Sequence, residues 1–320
     1  MAMNKVQFQK SLSMPAFLVK YGTESDCRAS LEKARWPDGY RCARCSESRH
    51  VRFERRHQLY FQCSRCGFQM SLVSGTLFQS TKLPLRLWFL ALHLLAGAKT
   101  NVSALELVRQ LGVCYRTAWR LKHKVMHAMT NREESRKLNG LVQIDDAYLG
   151  GERNGGKSGR GSENKQPFLI AVETDADLEY PRCAVIEPLR SFDNASIKDW
   201  AERRLGSGAE VYTDGLWCFR RFSDAGHAHT VLETGGGRAA TEAKGARWVN
   251  ILLANVKRSI SGVYHSLKQR KYARLYLGEA AYRFNRRFDL ASMLTRLVHA
   301  LIQTPPRPET ALRNTTNFSY

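Results

Sequence analysis

Two cysteine pairs constrain this chain more than any other feature. Cys42-x2-Cys45 and Cys63-x2-Cys66 stand with 17 residues between the pairs. A two-residue spacer lets both sulfurs of a pair converge on one ion, and the intervening stretch supplies a hairpin between the two knuckles. Gly67, directly after the second knuckle, suits its tight turn. Four thiolates close a tetrahedral shell and leave no open position, so the ion expected is a structural Zn²⁺, not a catalytic one. Cys27, Cys114, Cys183 and Cys218 lack paired spacing and are expected to be small buried hydrophobes. His50, His57 and His93 are scattered and expected to be structural. The zinc ribbon is drawn over 39–75, after an N-terminal helical segment over 1–38.

Charge narrows the class of partner. The 320 residues carry 50 Lys+Arg against 29 Asp+Glu, a formal net charge of +21. Ordinary solubility asks for a net charge of about 8 or less in a small domain, so this excess points to a polyanion, and DNA is the first candidate. Residues 1–140 hold 24 of the basic and 9 of the acidic residues, leaving most of the carboxylates to the second half. A hydrophobic content of 43% excludes a mainly disordered chain. The most apolar stretch, Leu83 to Ala98, is interrupted by Arg86 and His93 and falls short of the roughly 20 residues a membrane span needs. No signal peptide is evident at the N-terminus, so a reducing, cytoplasmic and nucleoid-associated location is expected.

Periodicity and punctuation give the elements. Residues 40–72 read as short strands and turns, and 83–130 as helices broken at Gly97 and Gly112. From 140 onward the order is strand (LVQIDDAYL), Gly-rich loop (Gly150–Asn164), strand (PFLIAVET), strand (RCAVIEP), helix (SFDNASIKDWAERRL), strand (AEVYTDG) and a helix-rich remainder. That order describes a mixed α/β domain over 140–302, with a flexible tail over 303–320. Within 80–135, Ser103 can cap one helix and Gly112 can turn into the next. On the second helix Ala118, Leu121 and Val125 form an inward stripe. Arg116, Arg120 and Lys124 lie on the other side at four-residue spacing. This is the layout of a helix-turn-helix whose second helix meets DNA, and equally that of an αα-hairpin with a solvated basic face.

Carboxylates at strand ends carry the chemistry. Asp145 and Asp146 end one apolar strand and Asp214 ends another. In α/β domains that cut or join phosphodiesters such groups hold two Mg²⁺ or Mn²⁺ ions. Strand alternation puts Gln143 and Asp145 on one face and Ile144 and Asp146 on the other, which favours Asp145. Asn250 follows Asp214 with 35 residues between them, and Lys257 lies two helical turns further on the same face.

With these residues in place the chain resembles the bacterial ISXO-like insertion-sequence transposases. The residues carrying the resemblance are Cys42, Cys45, Cys63 and Cys66, the IDDAYLGG strand, VYTDG, WVN with its downstream lysine, SGVYH and YRFNRR. The resemblance covers roughly residues 15–300. It implies a DDE-type catalytic domain of ribonuclease-H-like fold, preceded by the zinc ribbon and the helical DNA-binding region. It further implies Asp145, Asp214 and Asn250 as metal-bearing catalytic residues and Lys257 at the donor phosphate. The third member of such triads is usually Glu, so Glu233, Glu242 and Asn255 stand as rivals to Asn250. The activity implied is metal-dependent cleavage at terminal inverted repeats and transfer of the 3′-hydroxyl to target DNA, by a homo-oligomer assembled on DNA. A catalytically silent DNA-binding regulator and a nuclease without strand transfer are the alternatives.

Overall fold

The computed structural model of the chain describes residues 9–56, 58–150, 165–232, 242–264 and 269–315. His57, Glu233 and the expected Gly-rich loop from Gly151 to Asn164 lie outside them. The chain divides into two compact units, 1–128 with 288–312, and 129–287 with 313–320.

The first unit opens with helices α1 (Met14–Tyr21) and α2 (Glu24–Arg35). Thr23 and Asp26 form a reciprocal capping box at the start of α2. A three-stranded antiparallel sheet follows in the order β1 (His50–Arg55), β2 (Gln58–Cys63), β3 (Gln69–Ser71). Helix α3 (Leu85–Gly97) is apolar on nearly all sides and buried. Its first two amides, at Leu85 and Arg86, are capped by Glu24 at 3.0 Å each. His93 is buried and stacks on Phe17, the structural part expected of it.

Helix α4 (Ala104–Leu111) is capped by Ser103 and ends at Gly112, whose φ of 64° is the left-handed conformation glycine tolerates. After a three-residue turn comes α5 (Tyr115–Glu133), with Ala118, Leu121 and Val125 buried. Lys124 departs from the sequence expectation. It is buried, and its Nζ donates to the Leu77 carbonyl at 2.8 Å. Burial, helped by the Arg120 charge, pushes its pKa down to about 8. The reason is geometric: four-residue steps drift about 40° per step around a helix, so the third member of the row has turned off the exposed face. Cys114, in the turn, is exposed where a buried hydrophobe was expected.

The chain returns to this unit at its end. Helix α10 (Met293–Gln303) packs on α3 and α2, and the short helix α11 (Glu309–Arg313) buries Leu312 completely. The boundary expected at 302 and the flexible tail expected beyond it are therefore drawn differently by the packing. Glu309 pairs with both Arg116 and Arg120.

The second unit is a five-stranded mixed sheet of order β6-β5-β4-β7-β8. Strands β4 (Leu141–Leu149), β5 (Gln166–Thr174) and β6 (Pro181–Pro188) run antiparallel. Strands β7 (Glu210–Thr213) and β8 (Ala228–Val231) run parallel to β4. Strands β4 to β7 match the sequence expectation, and β8, whose AHTV is short and largely exposed, was not expected. One face packs Val142, Ile144 and Leu169 against Trp200 of α6 (Asn194–Arg204), against Phe219 and against Phe222 of the short helix α7 (Arg221–Asp224). The opposite face packs Ala147, Phe168 and Ile170 against Val249, Leu252 and Val256 of α8 (Arg247–Val263) and Leu277 of α9 (Gln269–Phe284).

Glu133, at the end of α5, is a buried junction of this unit. It accepts from Arg136 at 2.6 Å, from Asn285 at 2.7 Å and from Arg286. Burial works to raise its pKa, yet Arg136 and Arg286 hold the carboxyl below its ordinary value. Removing one partner from such a network strands the others, so Glu133→Ala should cost about 3–5 kcal/mol. Urea unfolding monitored by far-UV circular dichroism measures that loss. It should shrink as pH falls through the depressed Glu133 pKa, because the stabilisation exists only while the carboxylate is ionised.

Candidate metal centres

The first centre lies between the knuckles of the small sheet. Each knuckle is a turn closed from its fifth residue: Ser46 N–H donates to the Cys42 carbonyl at 2.9 Å and Gly67 N–H to the Cys63 carbonyl at 3.0 Å. Ser46 and Gly67 both take left-handed φ, 58° and 68°. The four sulfurs lie within 4.8 Å of one another, with Cys42 to Cys66 at 3.6 Å and Cys45 to Cys63 at 3.5 Å. A tetrahedral Zn²⁺ with Zn–S bonds of about 2.3 Å separates its sulfurs by about 3.8 Å, so the cluster fits the ion. Against the effect of burial, the amides of Arg44 and Cys45 bring the Cys42 thiol down to about 6, which favours a thiolate there. An aromatic cluster backs the hairpin, with Tyr40 stacked on Phe61, Trp36 edge-on to Phe61 and His50 tilted against Tyr40.

Structural zinc sites of this kind contribute apparent free energies of about 10–16 kcal/mol. Cys63→Ser should therefore release bound zinc and unfold the hairpin while the five-stranded sheet stays folded. Metal analysis together with amide hydrogen exchange over β1–β3 and β4–β7 tests this. Normal zinc content and unchanged protection in the variant would refute it.

The second centre lies where β4 and β7 separate. The two strands pair over Leu141–Glu210, Val142–Val211 and Gln143–Tyr212. β7 then ends at Thr213, and Asp214 stands at its exit. The exit is fixed by Gly215, with φ 80° and an N–H bonded to Thr213 Oγ1 at 3.1 Å. A Cβ on Gly215 would come within 2.6 Å of Val231 Cγ1, so both its conformation and its surroundings demand glycine. Carboxylate oxygens of Asp145, Asp146 and Asp214 lie within 4.8 Å of one another. These hard oxygen donors suit a divalent cation such as Mg²⁺ or Mn²⁺. Burial, then the charges of Asp146 and Asp214, push the Asp145 pKa up to about 7, while Lys257 acts to lower it. Alternation favours Asp145 over Asp146, yet the Asp146 carboxylate also joins the cluster. Asp145 and Asp146 lie in the middle of β4, not at its end as the sequence suggested, but past Gln143 the strand is no longer paired with β7 and a side chain can reach around that open edge.

Asp145 and Ala147 share the face that α8 covers. Asn250, in the first turns of α8, is partly buried. Its Nδ2 donates to the Ala246 carbonyl at 3.0 Å, which leaves Oδ1 as the atom available to a cation. Asn255 and Glu242 are exposed, and Lys257 is exposed on the helix two turns after Asn250.

Because the metal-free fold raises the Asp145 pKa, this group's contribution to stability is present below the ordinary carboxylate range. It is lost as pH rises through about 7. Asp145→Asn should accordingly raise the melting temperature of the metal-free protein at pH 8 by a few degrees and leave it nearly unchanged at pH 4. An equal shift at both values would contradict the electrostatic account.

Comparison with known proteins matches the stretches of chain that carry both centres. Residues 137–285 match the family described as the ISXO2-like transposase domain, and residues 22–69 match the transposase zinc-ribbon domain. A relative described as an uncharacterized protein in transposable element ISH50 of Halobacterium salinarum is 25% identical over 202 residues. That match covers 58% of this chain and 65% of the relative, so the chain spans less than two thirds of the relative's length. The resemblance to ISXO-like insertion-sequence transposases is thereby borne out at both the ribbon and the DDE domain. Among the described residues no helix is long and apolar enough to cross a membrane.

Proposed function

We propose that this chain, similar over its ribbon and its mixed sheet to domains of insertion-sequence transposases, is a DNA transposase. It would bind the terminal inverted repeats of its element, hydrolyse the phosphodiester at each end and join the freed 3′-hydroxyl to target DNA. The observation that carries the reading is the convergence of Asp145 and Asp146 of β4 with Asp214 at the exit of β7, on a sheet covered by the helix that bears Asn250 and Lys257. Three antiparallel strands followed by two parallel ones support a ribonuclease-H-like domain.

In this reading Asp145 and Asp214 hold the metal, and Asn250 Oδ1 adds a neutral ligand from the facing helix. Bound Mg²⁺ or Mn²⁺, as a pair, would activate the attacking oxygen and stabilise the leaving one. Lys257, whose charge reaches Asp145, would contact the donor phosphate. Arg116 and Arg120, on the exposed opening turns of α5, would contact DNA in the manner of a helix-turn-helix, displacing their pairing with Glu309. Lys124 is buried and takes no part. Asn250 is favoured over Asn255 and Glu242 because it is partly buried and keeps a free acceptor oxygen, whereas they are exposed. The working form would be a homo-oligomer on nucleoid DNA.

A strand-transfer assay on the element's own terminal DNA, with Mg²⁺ or Mn²⁺, tests the proposal. Asp145→Ala and Asp214→Ala should abolish cleavage and joining yet spare binding to the ends, because the carboxylates act on charge that develops in the transition state. Asn250→Ala should retain partial activity. Normal joining by Asp214→Ala would overturn the enzymatic reading in favour of a DNA-binding regulator. Cleavage without joining in the wild type would leave a nuclease.

A further inference from the structure

The first turn of α8 has no cap of its own. Ala246 occupies the cap position without a side-chain hydrogen bond, and the opening amides of a helix have no intrahelical acceptor. Two of them are satisfied from the sheet. Gln143 Oε1 accepts from Trp248 N–H at 2.9 Å and from Val249 N–H at 3.2 Å, while Gln143 Nε2 donates to the Lys244 carbonyl at 2.7 Å. Gln143 is fully buried. Its backbone is fixed on both sides, opposite Val172 of β5 and Tyr212 of β7. The segment it grips is also fixed from β7: a Cβ on Gly245 would meet Tyr212 Cδ1 at 3.1 Å and Leu232 Cδ1 at 2.9 Å.

Gln143 therefore ties two parts of the second centre together. It is two residues from Asp145 on the same face of β4, and its partners lie one and two residues before Asn250. Asn250 in turn hangs from the Ala246 carbonyl by both its N–H (3.1 Å) and its Nδ2 (3.0 Å). One amide side chain thus joins the strand that bears Asp145 to the helical turn that bears Asn250. An anionic third ligand could be drawn onto the cation by charge. A neutral one gains less from that attraction and depends on being held in place beforehand.

We infer that Gln143 is a positioning residue for the metal centre, holding the start of α8 so that Asn250 faces Asp145. This rests on the metal-centre reading above. The bare polar groups left by an apolar replacement would be Lys244 O and the Trp248 and Val249 amides, and the first turn would shift or fray to reach water.

Mn²⁺ titration of the full-length, zinc-loaded protein, followed by the electron paramagnetic resonance of free Mn²⁺, tests it without reference to activity. Gln143→Met should weaken Mn²⁺ binding about 10-fold or more, the usual effect of losing a group that orients a ligand. In the double variant with Asn250→Ala the loss should be no larger than for Asn250→Ala alone. Ile197→Ala, a core truncation on the other side of the sheet, should lower the melting temperature and leave Mn²⁺ affinity unchanged. Unchanged affinity in Gln143→Met, or losses that multiply in the double variant, would overturn the inference. Should Gln143→Met not fold, Gln143→Glu decides: it keeps an acceptor for both amides and should bind within about threefold of wild type. A loss there as large as that of Asn250→Ala would overturn the inference too. Undiminished Mn²⁺ binding by Asp145→Ala would instead remove the metal-centre reading itself.

Discussion

Three carboxylates held within 4.8 Å of one another repel, and a fold keeps such a group only where the rest of the structure leaves them no way apart. Here the constraint is the fork between β4 and β7. Parallel pairing stops at Gln143 and Tyr212, and Asp145, Asp146 and Asp214 all follow within three residues of that point. The raised pKa of Asp145 expresses the cost, and a divalent cation is what relieves it. The two hydrophobic layers on either face of the sheet, built on Trp200 and on Val249, Leu252 and Val256, keep the fork rigid.

The two metal centres divide the work by ligand type. Soft sulfur donors close completely around a small ion in a domain too small to build a deep core of its own, so the cation there stands in for missing hydrophobic burial. Hard oxygen donors at the fork leave Asp214 exposed and the site open on one side, which the proposed phosphodiester chemistry would need.

Much of this was legible because the signals were local. CxxC spacing, the alternation through LVQIDDAYL, the cap at Ser103 and the glycine at 112 each depend on residues a few positions apart, and the structure uses each as read. The acidic cluster was half legible. Asp145 and Asp214 are marked in the sequence as acids on or just after apolar strands, but Asp145 lies mid-strand where β7 has separated from β4, and Asp146 joins it by reaching around an edge that alternation does not describe. Longer-range features were hidden. Lys124 looked like the third member of a basic row until the helix's own pitch turned it toward Leu77. The return of residues 288–312 to the first unit, and the pairing of Glu309 with Arg116 and Arg120, depend on contacts across nearly two hundred positions that no local pattern encodes. Gln143 is the clearest such case: an ordinary polar residue in an apolar strand, whose part is visible only once α8 is seen above it.

The claim on which all this turns is that a cation is held jointly at the fork of β4 and β7 and by the facing helix. Anomalous diffraction from crystals soaked in Mn²⁺ measures it most directly. The account predicts a peak bridging the Asp145 and Asp214 carboxylates, with Asn250 Oδ1 in its coordination shell. No peak between those carboxylates, or an ion coordinated by Glu242 or Asn255 in place of Asn250, would contradict it.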